Sequence, residues 1–553
     1  MVTAIGCASI SRIPRRSRWY PRGPTVQWPL LGETGGPGPG GRFGAATSRH
    51  EGTMRLIYFD IDTLRADHLG CYGYRRPTSP TIDALAAEGI RFDNVHASDT
   101  PCLPSRSALS SGQFGIRNGS INHGGSATDP FPEGPNRQFQ TALARTSWMS
   151  SLRAQGVWTA SISTFAERHS AYHFEAGFNE CFNLGTRGLE TAEQVAAVAR
   201  DWLARNARRP DWFLHVHLWD PHTPYRTPAE FEVPFGDDAV PPWLTEDVRA
   251  AHWQLPGPHS AQEVAGFGPR AVWDEWIRQP QQAATMDDVR RIYEGYDTGV
   301  RYADHHVDQV LGLLDEMHLL DETAVMVSSD HGENLGELGV YCDHQTADQC
   351  TTRLPMVLRW PGLDASTLPP QDGLHYQIDV MATVLELCGA SVPEGWDGQS
   401  FAPALTSGAR SGRQHLVLSH AAWTAQRSVR FGNWLCMETY WDAFHGYPSV
   451  MLFDLGDDPH EQHDLATDLP DVVQHALGLL HEWKEEAMSR SSYGIDPMWS
   501  VLHEGGPWHS RVDVEWYFER LRATGRGAWA DRFEASRPEG GAPPDPTDLD
   551  PTM

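Results

Sequence analysis

Short apolar runs alternate with helical patterns from Met54 to about residue 410. Leu56–Phe59 is a continuous apolar run of strand length, and it ends in Asp60-Ile61-Asp62. Ser79 ahead of Pro80, with Gly89 beyond, brackets a helix over Pro80–Ala87. Ser147–Gln155 reads as a helix stopped by Gly156, with a strand over Val157–Ile162 behind it. Trp212–Leu218 and Thr323–Ser328 read as further strands, and Asp287–Met317 as a long helix. Strands that alternate with helices predict an α/β fold, a large mostly parallel sheet sandwiched by helices. After about residue 410 the pattern becomes β-rich, with runs at His415–Ser419, Arg427–Thr439 and Val450–Leu455. A helix from Asp471 to about Arg490 follows, which predicts a smaller C-terminal antiparallel subdomain with one helix.

These patterns divide the chain. Residues 54–410 form the main domain, 411–495 an α+β subdomain, and 496–553 a partly disordered extension carrying one amphipathic aromatic piece, Val512–Arg522. That piece has two open placements, across the mouth of a site or against a partner copy. Residues 228–285 are rich in proline and tryptophan and weakly periodic, the mark of an insertion over one end of the sheet. Residues 1–53 are rich in Pro, Gly and Arg and cannot bury a core, so they read as a disordered extension or a misplaced start.

Composition narrows the partners. A net charge of −28 argues against a nucleic-acid surface or a polybasic membrane patch, and no run of eighteen apolar residues is present. An acidic surface also repels anionic esters, so such a substrate needs a local cluster of cations. The eight cysteines lack zinc-site or disulfide spacing, and with no secretory signal the expected setting is reducing and cytoplasmic. The 21 tryptophans are expected mainly in cores and subunit contacts rather than as sugar platforms.

Four polar clusters follow predicted strands or open a helix, and the carboxyl edge of an open α/β sheet is where ligands bind. Asp60 and Asp62 alternate onto one face of the first strand. His222 follows Trp212–Leu218, and Asp330-His331-Gly332-Glu333 follows Thr323–Ser328. Cys102 precedes Leu103-Pro104-Ser105-Arg106, at a helix start whose free N–H groups suit an anion. Two carboxylates delivered by an apolar strand need a counter-charge. A divalent cation supplies it, with Ca²⁺ the first candidate for oxygen-rich ligation with one imidazole and Mn²⁺ or Mg²⁺ the alternatives.

The Cys102-Leu103-Pro104-Ser105-Arg106 run resembles the site at which sulfatases convert a cysteine to formylglycine (3-oxoalanine). From Met54 to about residue 490 the chain resembles that family, within the alkaline-phosphatase-like superfamily. Matching pieces are Asp62–Gly73, Asp220-Pro221-His222, Ser329–Glu333, Asp343-His344 ahead of Arg353-Leu354-Pro355, Leu452–Leu455, and Asp458–Glu461. The resemblance implies hydrolysis of a sulfate monoester, with Cys102 as hydrated aldehyde providing the nucleophile and one metal contact. It further implies metal ligation by Asp62, Asp330 and His331, with Asp330 also taking the proton of the attacking hydroxyl. Arg106 would orient the nucleophile, and His222 and His344 would grip the ester oxygens, His222 first in line to protonate the leaving alcohol.

The sequence departs from the family pattern twice. Thr63 stands where many sulfatases carry a second aspartate, so Asp60 either replaces that ligand or sits behind the metal shell. A Gly-Lys-x-His piece is replaced by Ser163–His169, leaving Arg168 or His169 as candidate sulfate contacts. Implied partners are a small-molecule or saccharide sulfate ester and a formylglycine-generating enzyme, without nucleic acid or membrane, and a homo-oligomer is compatible. A phosphonate monoester or phosphodiester hydrolase of the same superfamily is the rival reading, and a non-catalytic binding protein the next.

Overall fold

A computed structural model describes residues 53–131, 141–233, 235, 240–267, 277–511 and 515–536; the readings made for residues 1–52 and 537–553 lie outside these. Eight strands form the large sheet. In spatial order they are β11 (Gln371–Tyr376), β2 (Ile90–His96), β10 (Arg353–Arg359), β7 (Thr323–Ser328), β1 (Arg55–Ile61), β6 (Trp212–Leu218), β4 (Trp158–Ile162) and β5 (Glu180–Phe182). Every pairing is parallel except those of β10, which runs antiparallel to β2 and β7.

β1 explains its own sequence. It lies between β6 and β7 and is buried along its whole length, so its pattern is continuous rather than alternating. Ile57, Phe59 and Ile61 pack on one face, among residues of the helices Ala192–Asn206 and Met286–Glu316. Leu56 and Tyr58 pack on the other, with the helices Trp148–Ala154 and Gln377–Leu387. Asp60 and Asp62 continue the second row beyond the end of that apolar layer.

Most predicted boundaries agree with the structure to within a residue or two. Ser79 does precede the helix Pro80–Glu88, yet its hydroxyl does not cap it. It accepts from Gly70 N–H (2.9 Å) and donates to Asp83 (2.9 Å), while Asp304 of the long helix takes the N–H groups of Thr81 (3.0 Å) and Ile82 (2.9 Å). A distant carboxylate thus does the capping. The run Arg427–Thr439 is two strands, split by a turn in which Gly432 has φ 51°.

The second sheet has the order β15 (Val450–Asp454), β14 (Trp434–Trp441), β13 (Ala425–Phe431), β12 (His415–His420) and β3 (Asp99–Thr100). It is antiparallel except that β3 runs parallel to β12. Helix Pro470–Ser489 covers it, Ala476 and Leu480 meeting Val417, Val429 and Leu452. β3 is therefore an edge strand from the main domain, and one residue after it Cys102 opens the helix Cys102–Ser111, buried at every position. β8 (Asn334–Leu335) and β9 (Tyr341–Asp343) form a small hairpin. Among the described residues no helix is long and apolar enough to cross a membrane.

The C-terminal segment returns to the body of the chain. Its helices are Pro497–His503, Glu515–Ala523 and Gly527–Ser536. Tyr517 accepts from Gly257 N–H (2.6 Å), and Arg526 pairs with Glu263 (2.7 Å), so the aromatic helix docks on the insertion. Arg427 on β13 holds Asp496 through two buried bonds of 2.6 and 2.7 Å. Burial alone would raise the pKa of Asp496, but Arg427 outweighs it and holds the carboxyl below its ordinary range.

Asp496→Asn leaves a buried guanidinium short of its counter-charge and is expected to cost about 3 kcal/mol, read as a lowered Tm. A carboxylate with a depressed folded pKa stabilises fully above its unfolded value of about 3.9 and loses that contribution as acid protonates it. The Tm gap between wild type and D496N should therefore narrow in melts run progressively below about pH 4.

Candidate active site

Three chain segments meet at the carboxyl edge of the large sheet. Asp62 extends the pairing of β1 by donating its N–H to Leu218 O (2.9 Å). Thr63 then turns the chain out of the sheet with φ 57°, its N–H reaching Asp330 (3.3 Å) and its carbonyl accepting from Tyr296 OH (2.7 Å). Leu64 N–H donates to Ser329 Oγ (2.9 Å), which locks the β1 and β7 exits together. Ser105, in the first turn of the Cys102 helix, donates to the Asp330 carbonyl (2.6 Å) and fixes that helix over both.

The result is one buried cluster. Cys102 Sγ lies 3.0 Å from His331 Nε2, which is 3.2 Å from Asp330 Oδ2 and 3.9 Å from Asp62 Oδ1. One ligand atom from each of Asp62, Cys102, Asp330 and His331 lies within 4.8 Å of the others. His331 Nδ1 faces the Gly332 carbonyl (2.8 Å), so Nδ1 carries the proton and Nε2 presents a lone pair. Asp62 Oδ1 is buried without a hydrogen-bond partner. A divalent cation fits this set, since it would satisfy that orphaned oxygen within an oxygen-rich group holding one imidazole.

Arg106 is the organic counter-charge. Its guanidinium bonds both oxygens of Asp60 (3.0 and 3.2 Å) and Asp62 Oδ2 (3.0 Å), and it pairs with Asp330. Burial works to raise the pKa of Asp60 and Asp62, but Arg106 prevails and holds both well below the carboxylate range. Asp330 goes the other way. Burial, with Asp62 and Asp60 beside it, pushes its pKa well up despite Arg106. One guanidinium thus faces three buried carboxylates, which leaves a deficit of positive charge in the cluster. Burial and the same aspartates push the Cys102 thiol up as well.

Asp60 lies outside that group of four: both its oxygens bond Arg106, and His215 Nε2 lies 3.3 Å away. His222 Nε2 stands 4.0 Å from Asp62 Oδ1, with its Nδ1 bonded to the Thr223 carbonyl, and burial lowers its pKa. The His344 ring lies tilted against that of His331 (centroids 4.0 Å) and sets Nδ1 against Glu333 Oε2 (3.2 Å). Burial pushes Glu333 up to about 7. Arg168 lies over the Trp219 ring (4.9 Å), and His169 Nε2 is buried without a partner.

Several residues at the site were not singled out from sequence. His215 and His217 alternate along β6, and His217 Nε2 lies 2.8 Å from Arg106 and 3.3 Å from Asp62. The His-Val-His spacing beside two aspartates was their available signal. His123 Nε2 accepts from Leu103 N–H (3.4 Å), and His509 reaches His123 from the C-terminal segment (3.0 Å). No local pattern marks either.

Comparison with known proteins fits this geometry. The sulfatase family model matches residues 56–390, more than half of the chain, and a model for the C-terminal part of N-sulphoglucosamine sulphohydrolase matches 336–486. The choline-sulfatase of Rhizobium meliloti (strain 1021) is 25% identical over 430 residues, 70% of this chain and 77% of that protein. A structure solved with its substrate D-glucosamine-2-N,6-O-disulfate superposes with a TM-score of 0.62 at 17% identity, over 79% of this chain and 98% of the other. The phosphonate monoester hydrolase of Silicibacter pomeroyi gives 0.59 at 20% identity, over 83% and 100%. With its cysteine motif seated over Asp62, Asp330 and His331, the chain belongs to the sulfatase family and is a sulfuric ester hydrolase.

Proposed function

We propose that this protein hydrolyses a sulfate monoester to an alcohol and inorganic sulfate, using Cys102 converted to formylglycine by a formylglycine-generating enzyme and one divalent cation, Ca²⁺ first. The observation that carries this reading is the position of Cys102 Sγ, at a helix start and within one ligand group with Asp62, Asp330 and His331. Hydrated formylglycine offers one hydroxyl as nucleophile and a second that lets the aldehyde be restored. Asp62, Asp330 and His331 would hold the cation, which would offset charge on the sulfuryl oxygens and lower the pKa of that hydroxyl.

The remaining work belongs to side chains of this chain. Arg106 holds Asp60, Asp62 and Asp330 in a fixed geometry and offsets their charge. Asp330, whose carboxylate lies 3.2 Å from His331 beside Cys102, receives the proton of the attacking hydroxyl. The leaving alcohol needs a proton donor, and the two histidines differ in backing. His222 Nδ1 meets a neutral carbonyl and burial disfavours its cation, whereas His344 Nδ1 meets the Glu333 carboxyl (3.2 Å). We therefore assign the donor role to His344 Nε2, and to His222 the contact with the ester oxygens. Arg168 and His169 replace the absent Lys and His as sulfate contacts, His169 through its unpartnered Nε2. Seven described cysteines are free, which fits a reducing, cytoplasmic setting.

The phosphonate monoester reading keeps support from the shared fold and from the missing Lys/His piece. With purified matured protein, kcat/KM on an aryl sulfate should exceed that on an aryl phosphonate monoester; the reverse order would assign phosphorus esters. Cys102→Ser should stop multiple turnover, and sustained turnover by C102S would remove the proposed nucleophile. Asp62→Ala should weaken cation binding at least about 100-fold in calorimetry. His344→Ala should slow hydrolysis of an alkyl sulfate by about 10²–10⁴-fold and of 4-nitrophenyl sulfate far less, because a good leaving group needs no proton. An equal loss on both substrates would deny His344 the donor role.

A further inference from the structure

A cationic hollow opens beyond the far end of the helix that Cys102 begins. The chain carries a net charge of −28, so arginines gathered on one pocket stand against the sign of the whole molecule. The hollow has a volume of about 270 Å³, several times the roughly 30 Å³ that a water molecule occupies in the liquid. Arg117 reaches it from the short helix Gly115–Asn118, Arg145 from Ala142–Thr146, and Arg490 from the C-terminal cap of Pro470–Ser489. Two carboxylates accompany them, the exposed Glu394 on the lining and the buried Asp397 next to it.

Part of this cluster is structural. Arg117 Nη1 donates to Gly395 O (2.9 Å) and Asp397 Oδ1 (2.5 Å), and its Nη2 reaches Arg490 O at 3.5 Å. Arg490 meets the same Asp397 oxygen (3.1 Å) and donates to Trp396 O (3.2 Å). Asp397 accepts from Phe114 N–H (3.0 Å), and its own N–H donates to Gly112 O (2.8 Å), which secures the end of the Cys102 helix. Those bonds leave two atoms unexplained. Arg117 Nε and Gln113 Oε1 are both buried without a partner, on side chains that line the hollow. The Arg117 side chain is 9% exposed and Gln113 6%. Gln113 Nε2 donates to Gly395 O (3.2 Å), so the amide orientation is set and the carbonyl oxygen is the atom left over.

We propose that this hollow is a second anion site, built for an inorganic oxyanion that still carries a proton, hydrogen phosphate. With Nη1 engaged by Asp397, the Nε–Nη2 edge of Arg117 is the fork that takes two oxygens of a tetrahedral anion. Arg145 and Arg490 add positive charge, and together the three guanidiniums outweigh Glu394 and Asp397. Gln113 Oε1 accepts only, so the ligand has to donate there while it accepts from Arg117. Sulfate at neutral pH has no proton to give and would set its oxygens against that carbonyl. A phosphomonoester loses its last proton near pH 6 (about one pH unit below neutrality) and meets the same obstacle. Hydrogen phosphate satisfies both atoms at once. The ten-residue helix Cys102–Ser111 separates the hollow from the Cys102 cluster by about 15 Å. Inorganic sulfate, the product of the reaction proposed above, therefore does not fill this site.

The test is calorimetric titration of full-length, cation-loaded protein with inorganic phosphate, inorganic sulfate and methyl phosphate, at about pH 8 and constant ionic strength. The wild type should bind one more phosphate per chain than sulfate or methyl phosphate. Arg117→Lys keeps the charge beside Asp397 but loses the fork, and should weaken that extra site by about tenfold or more. Gln113→Leu should weaken phosphate there by about tenfold and bring it level with sulfate. Arg490→Gln, at a side chain 43% exposed, should weaken all three anions alike, and it serves as the variant of record if Arg117→Lys does not fold. Inhibition of 4-nitrophenyl sulfate turnover by phosphate reports the Cys102 cluster instead, and should stay within about twofold of wild type in every variant. Equal numbers of phosphate and sulfate bound to the wild type would overturn the proposal, as would an extra phosphate that survives both Gln113→Leu and Arg490→Gln.

Discussion

Three carboxylates are buried at one sheet edge beside a single guanidinium, and the surrounding structure is arranged around that deficit of positive charge. Asp60, Asp62 and Asp330 all bond Arg106, and burial leaves Asp330 with the raised proton affinity. The deficit makes the site receptive to a divalent cation, and the orphaned Asp62 oxygen marks where such an ion gains a ligand. Asp60 is best understood as a positioning group. It takes both ends of the Arg106 fork, so that one guanidinium nitrogen is free to reach Asp62 and Asp330.

The two sheets share the task of presenting the nucleophile. β3 ties the chain just before Cys102 to β12 of the small sheet, while Ser105 ties the first helical turn to the Asp330 carbonyl of the large one. Cys102 is thereby clamped from both sides, with the helix start facing the cluster. The same small sheet supplies Trp423 and, through Arg427, the anchor for the segment that carries His509. Asp62, Asp330 and His331 come from the edge of the large sheet, and Trp423 and His509 from what is packed across it.

Much of this was legible in the chain because the reacting groups follow long apolar runs. Strands β1, β6 and β7 are buried on both faces, so their ends are visible as the first polar residues after Phe59, Leu218 and Ser328. The cysteine motif was legible through its resemblance to a known modification site. Other features had weaker signals. Gly432-Asn433 inside an apparent strand was a turn signal, and His215 and His217 were hidden inside an otherwise apolar strand. β3 is two residues long, too short for any period to register. His123 and His509 are 386 residues apart and meet only through tertiary packing, which no local pattern encodes.

The central claim is that Cys102 is the precursor of the nucleophile rather than one more buried thiol. Mass spectrometry of the peptide spanning residues 92–106, from protein co-expressed with a formylglycine-generating enzyme, tests it most directly. The account predicts an aldehyde in place of the Cys102 thiol, trapped by a hydrazine reagent, in a fraction that scales with specific activity. Full sulfatase activity in protein whose Cys102 remains entirely a thiol would contradict it.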